Sequence, residues 1–149
     1  MFRGVTTLNL DVKGRLAVPA KHRDALLERA EGKLVVTADP AKCLLLYPLP
    51  EWEPIQEQIM NMPSLNSQVR NLQRLIVGYA EDVEMDATGR ILISGPLREF
   101  AGLSKRLVLV GQGRKFELWD EECWIAQRDA ALAIPQGGGW PSELGSFAL

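Results

Sequence analysis

The chain has 149 residues, of which 46% are hydrophobic and 24% charged, with a formal net charge of −2. That apolar content excludes a disordered chain and allows one compact domain or two very small ones, while the slightly acidic balance excludes a polycation that grips nucleic acid by charge alone. No apolar run approaches about eighteen residues and no basic, apolar leader opens the chain, so neither membrane spanning nor secretion is expected and the compartment is cytoplasmic.

In chain order, Leu8 and Leu10 alternate with Asn9, and Leu16 and Val18 with Ala17, so two short strands flank Asp11-Val12-Lys13-Gly14. Read as a hairpin, this turn has an aspartate that accepts from the N–H groups just ahead of it and a glycine free to take the left-handed conformation. Pro19 suits the first turn of a helix running to Ala30. Leu34 to Thr37 and Cys43 to Tyr47 are strand candidates joined across Asp39-Pro40. Helical stretches follow from Glu51 to Asn61 and, past Pro63, from Ser64 to Val77, where Val69, Leu72, Leu75 and Ile76 share a face. Val83 to Met85 and Ile91 to Ile93 then flank a second turn, Asp86-Ala87-Thr88-Gly89. Ser94 can cap a helix from Pro96 to Leu103; Leu107 to Val110 and Lys115 to Trp119 are strands across Gly111-Gln112-Gly113; a last helix starts after Asp120 and reaches Ala133. From Pro135 the glycines and scattered polar residues predict a mobile tail.

The later elements repeat the earlier ones. Leu8 to Val18 returns 75 residues on as Val83 to Ile93, with Asp, Gly and Arg coincident, and Arg23 and Asp24 match Arg98 and Glu99. After a deletion the offset becomes 72, matching Lys33 with Lys105, Val35-Val36 with Leu107-Val108, Leu46-Tyr47 with Leu118-Trp119, and Trp52 with Trp124. Each copy reads β-β-α-β-β, and a unit that small cannot bury both strand faces alone, so pairing with its copy into a pseudo-twofold barrel is expected. The organisation follows: a first repeat over 1–50, a helical connector over 51–79, a second repeat with its C-terminal helix over 80–134, and a tail over 135–149.

Charge is unevenly spread. Between Met1 and Arg23 the cations Arg3, Lys13, Arg15, Lys21 and Arg23 face one acid, Asp11, and acids collect later, at Glu51, Glu53, Glu57, Glu81, Asp82, Glu84 and Asp120 to Glu122. Cys43 and Cys123 lie far apart and His22 is the only histidine, too few ligands for zinc. The cysteines read as buried or half-buried free thiols, His22 as a surface residue, and Trp52 and Trp124 as packing residues. No metal or cofactor is called for.

Met1-Phe2-Arg3-Gly4, the first Leu-Asp-x-Lys-Gly-Arg with Pro19 and Arg23, Cys43 to Pro48 with Glu51-Trp52-Glu53, the second Asp-x-x-Gly-Arg, and Lys115 to Asp120 together resemble the MraZ family, over about Met1 to Trp124. The resemblance implies an α+β, β-rich fold: a double-split, swapped-hairpin β-barrel related to the AbrB and SpoVT regulators, with peripheral helices. It implies a transcriptional regulator of the bacterial division and cell-wall gene cluster, a repressor acting through repeated promoter boxes on double-stranded DNA. It also implies a ring-shaped, octamer-like homo-oligomer associated with the nucleoid. The family's Asp-x-x-x-Arg signature falls on Asp11 with Arg15 and on Asp86 with Arg90, and Gly14 and Gly89 complete the two turns.

A two-stranded ribbon fits the major groove, and arginine matches guanine O6 and N7. Arg15 is therefore expected to read bases, with Lys13 and Arg3 on phosphates and Arg90 as the second copy's counterpart. Lys13 in the first copy is Thr88 in the second. An aspartic-protease dyad of Asp11 and Asp86 is disfavoured, because Val12-Lys13 and Ala87-Thr88 intervene where that chemistry wants Thr or Ser directly after Asp, so the chain reads as no enzyme. The competing reading is a barrel that binds proteins, antitoxin-like, without reading DNA itself.

Overall fold

A computed structural model describes residues 1–133. The expected tail lies outside the described residues.

Among the described residues eight strands and five α-helices follow in order: β1 (Phe2–Asn9), β2 (Arg15–Ala17), α1 (Ala20–Ala30), β3 (Lys33–Ala38), β4 (Leu44–Pro48), α2 (Leu49–Met60), α3 (Ser67–Leu72), β5 (Glu81–Glu84), β6 (Arg90–Leu92), α4 (Gly95–Ala101), β7 (Arg106–Gly113), β8 (Lys115–Asp120) and α5 (Glu121–Leu132). Each copy is thus β-β-α-β-β, as its sequence predicts, and the fold is α+β. Proline at the helix starts, Ser94 as the α4 cap and left-handed Glu31 and Gly102 as C-caps set the bounds of α1 and α4. The helix expected over Ser64 to Val77 begins at Ser67, capped by Asn66, and passes into a π-helical turn at Gln73–Val77.

The strands on either side of each Asp-x-x-Gly turn do not form a hairpin ladder with one another. The turn closes through Asp11 N–H to Arg15 O (2.8 Å) and Gly14 N–H to Asp11 O (3.0 Å), and beyond it the strands part. β1 pairs antiparallel with β7 of the other copy, β5 with β3, and β2 with β6. The result is a six-stranded antiparallel sheet, β1-β7-β8-β4-β3-β5, and a separate two-stranded ribbon, β2-β6. A turn fixes only the residues it hydrogen-bonds; where the chain goes next is decided by which apolar surface it can bury.

The ladder also corrects the repeat alignment by one residue. Leu8 stands opposite Leu107, and its copy Val83 stands opposite Leu34, so Leu34 and Leu107 are equivalent and the offset there is 73, not 72. At the centre Leu45 faces Glu117, which restores an offset of 72 in β4 and β8. Side-chain alternation enforces this register: Leu34, Val36, Leu107 and Leu109 enter the shared core, while Val35 and Val108 point to the other face of the sheet.

The central core mixes the copies: Leu16, Val18, Leu26, Leu34, Leu44 and Leu46 of the first with Ile91, Ile93, Leu97, Leu107, Leu109, Phe116 and Leu118 of the second. On the other face, Trp52 of α2 and Ile76 cover Val35, and Trp124 of α5 packs against Cys43, Val108, Val110 and Trp119. Both repeat-equivalent tryptophans are packing residues, with Trp52 at 5.6 Å from the Tyr47 ring and Trp124 at 6.1 Å from that of Trp119. His22 is not a surface residue. It is only 7% exposed, wedged between Phe2 and Phe116, because α1 turns it inward onto the sheet. Cys43 is buried as expected, but Cys123, on α5, is exposed.

Candidate nucleic-acid interface

The β2-β6 ribbon pairs Arg15 with Leu92, Leu16 with Ile91 and Ala17 with Arg90, and is extended at its ends by Val18 N–H to Gly89 O (2.9 Å) and Ile93 N–H to Gly14 O (2.8 Å). Residues facing each other across a ladder share a side of it. Leu16 and Ile91 sit at the middle, both 1% exposed, and anchor the inner side in the core. Arg15, Leu92, Ala17 and Arg90 therefore share the outer side, with the two arginines diagonal to one another across a local pseudo-twofold at Leu16 and Ile91. Strand spacing and rise put their Cα atoms about 8 Å apart.

Each turn holds its own arginine. Asp11 Oδ1 accepts from Lys13 N–H (2.9 Å) and Arg15 N–H (2.8 Å), and Oδ2 accepts from Arg15 Nε (2.8 Å). Asp86 repeats the pattern with Thr88 N–H (2.9 Å), Arg90 N–H (2.9 Å) and Arg90 Nε (3.0 Å), and gains the Thr88 hydroxyl at 2.8 Å. Chiefly through the backbone N–H of the arginine, each carboxyl is held below the usual carboxylate range. Both aspartates are engaged in closing their turns and in holding their arginines. The carboxylate takes Nε, and among the described residues no hydrogen bond engages either Nη of Arg15, so both remain available for the forked contact that a guanidinium makes with guanine or phosphate.

Sequence reasoning missed two cations here. Gly14 and Gly89 have φ of +86° and +80°, which only glycine adopts without strain, and an arginine from the other copy lies over each. A Cβ built on Gly14 would stand 2.9 Å from Cζ of Arg98, and one on Gly89 would collide with Arg23. Arg23 Nε donates to Val18 O at 2.7 Å and Arg98 Nε to Ser94 O at 3.4 Å, and neither is paired with a carboxylate among the described residues. Their equivalence at an offset of 75 was visible in the sequence; their crossing to the opposite turn was not. Lys13 is exposed at the tip of the first turn, next to the ribbon. Arg3 is not part of this cluster: it faces Gln112 near the start of β1, six residue steps or about 20 Å of strand from Asn9.

Comparison with known proteins places the chain. The family model described as "MraZ protein, putative antitoxin-like" matches residues 1–75 and again 76–135, so the repeat is also the family's. The chain is similar to the transcriptional regulator MraZ of Nitrosomonas europaea, 58% identical over the whole of both chains, and to that of Methylobacillus flagellatus, also 58% identical over the whole of both. The transcriptional regulator MraZ of Thioalkalivibrio sulfidiphilus is 59% identical over 87% of this chain and 86% of its own. Among the described residues no helix is long and apolar enough to cross a membrane. Matched twice by one family model and 58–59% identical to relatives named transcriptional regulators, the chain belongs to the MraZ family, a family of transcription regulators and not of enzymes.

Proposed function

We propose that the chain is a sequence-specific DNA-binding regulator that lays the outer side of the β2-β6 ribbon into the major groove. The observation that carries this reading is the ribbon itself, with an apolar inner row fixed in the core and Arg15 and Arg90 projecting from the outer row. A two-stranded ribbon is of the right width for that groove, and an arginine pinned at Nε loses little further freedom when its Nη groups fork onto guanine. Arg15 is the base reader, Lys13 engages phosphate beside it, Arg90 lies at the rim of the same footprint, and Arg3 meets backbone farther along. Asp11, Gly14, Asp86 and Gly89 shape the turns that present them.

In this reading the ribbon bridges the open edges β1 and β5 of the sheet, giving the split, swapped-hairpin barrel that the family resemblance implies, with repeats over 1–50 and 80–134 around the 51–79 connector. The target is the promoter DNA of the division and cell-wall gene cluster, repressed from within the cytoplasm on the nucleoid. One ribbon makes few contacts, so affinity comes from a ring of octamer-like size that sets identical ribbons against repeated boxes. A gel shift on the DNA upstream of the protein's own reading frame tests this: wild type binds, Arg15→Ala does not, and a three-box duplex binds tighter than a one-box duplex at equal salt. Equal binding by wild type and Arg15→Ala, or none by either at modest salt, refutes it. The antitoxin-like description of the family favours the second reading, a protein-binding barrel; it predicts that a copurifying partner survives Arg15→Ala while DNA binding is absent in both.

A further inference from the structure

The two signature turns share a backbone and differ in chemistry. Val12 is wholly exposed at the first tip, beside Lys13, whose ammonium has no carboxylate partner among the described residues. In the second turn Ala87 and Thr88 take their places, and the Thr88 hydroxyl is turned inward onto Asp86. Asp86 therefore accepts four hydrogen bonds where Asp11 accepts three, and the second tip offers no cation. The strands that lead in differ more. β1 carries Arg3 and no acid, whereas the four residues of β5, Glu-Asp-Val-Glu, carry three acids. Arg3 lies too far from the first tip to count there, but phosphates within a Debye length, about 10 Å at 0.1 M salt, meet Lys13 with no strand acid beside it at the first turn and Glu84 close to the second, so the first is the more favourable of the two.

The lent arginines differ too. Arg23, over the second turn, is tied to Val18 O at 2.7 Å, while Arg98, over the first, makes only a long 3.4 Å contact with Ser94 O. Its guanidinium, lying beside Gly14, is the freer of the two to face an incoming anion.

We propose that each chain carries one DNA-reading turn and not two: Asp11 to Arg15, with Arg98 of the second copy as its flanking phosphate contact, enters the groove, while Asp86 to Arg90 stays at the rim as its structural counterpart. This rests on the DNA-binding reading above. Duplication then preserves the fold, because each copy completes the other's ladder, while only the first tip keeps the charge for reading. An assembly of such chains presents as many reading turns as it has chains.

Fluorescence anisotropy of the full chain on the upstream duplex, over a series of KCl concentrations, separates the turns. Each phosphate contact adds about 0.9 to the slope of log affinity against log salt, so Lys13→Ala and Arg98→Ala each flatten it by about one unit. Arg98→Lys restores the slope, and Thr88→Ala, at the equivalent exposed tip, leaves it unchanged. Losing a bidentate base contact makes Arg15→Lys about tenfold more damaging than Arg90→Lys. Thermal melts of every variant establish that each is folded. If wild type fails to bind, DNA reading falls and this proposal with it. If wild type binds and Arg90→Lys is as damaging as Arg15→Lys, or Thr88→Ala flattens the slope as Lys13→Ala does, the asymmetry alone is overturned. An Arg98→Ala loss of affinity at unchanged slope, not rescued by lysine, would remove Arg98 from the reading turn.

Discussion

Gly14 and Gly89 show how much one residue can carry: each permits a left-handed turn and makes room for an arginine from the other copy. Gly89→Ala must strain the backbone and displace Arg23, a cost of roughly 1–3 kcal/mol, which urea denaturation will read as a lower midpoint at unchanged slope. His22 has a different consequence. Burial against Phe2 and Phe116, and then the neighbouring Lys21 ammonium, lower its pKa below the usual 6.5. The folded chain therefore holds neutral histidine more firmly than the unfolded chain does. Its contribution is complete above pH 6.5 and is lost as pH falls from there through the folded value. Stability measured between pH 7.5 and 5.5 should fall in wild type, and His22→Gln should flatten that part of the profile. The same reasoning puts the signature aspartates in a lower window: their contribution is present above the ordinary carboxylate range and is lost as pH drops through their depressed folded values.

At the scale of elements, the π-helical turn between the copies is where a helix meets a buried hydroxyl. Gly78 N–H reaches back to Gln73 O at 2.9 Å, an i to i+5 bond, and the carbonyl of Ile76 is taken by Thr37 of β3, which is fully buried. That carbonyl lies in the last turn, where the helix ends and no N–H further along reaches it, and the threonine satisfies it. Thr37→Val keeps the shape but strands the acceptor, so a loss of about 1–3 kcal/mol is expected in chemical denaturation, with Thr37→Ser losing less. Sequence pattern marked the apolar face from Val69 to Ile76 but not this irregularity, since nothing in the run breaks helical periodicity. The same limit produced the one-residue slip in the repeat alignment. Leu34-Val35-Val36 and Leu107-Val108-Leu109 are apolar at every position, so alternation is invisible until cross-strand partners decide which residues face the core.

Across the whole molecule, neither copy owns its sheet. Among the described residues β1 pairs only with β7, β5 only with β3, and β2 only with β6. A fragment of residues 1–79 or 80–149 would expose an unpaired strand and half a core, so each alone should give the circular dichroism of an unfolded chain, and an equimolar mixture should regain the native spectrum. A folded single half would contradict the interlocking. The sequence by itself determined the duplication, nearly every element, the two turns with their aspartate, glycine and arginine, and the family, because all of these rest on local chemistry and on spacing along the chain. Only the tertiary structure decided that the turns join different sheets, that Arg23 and Arg98 cross to the opposite turn, that His22 is buried, and that Arg3 stands apart from the ribbon. Those are contacts between distant segments, selected by which faces can be buried together, and no pattern within one segment encodes its partner.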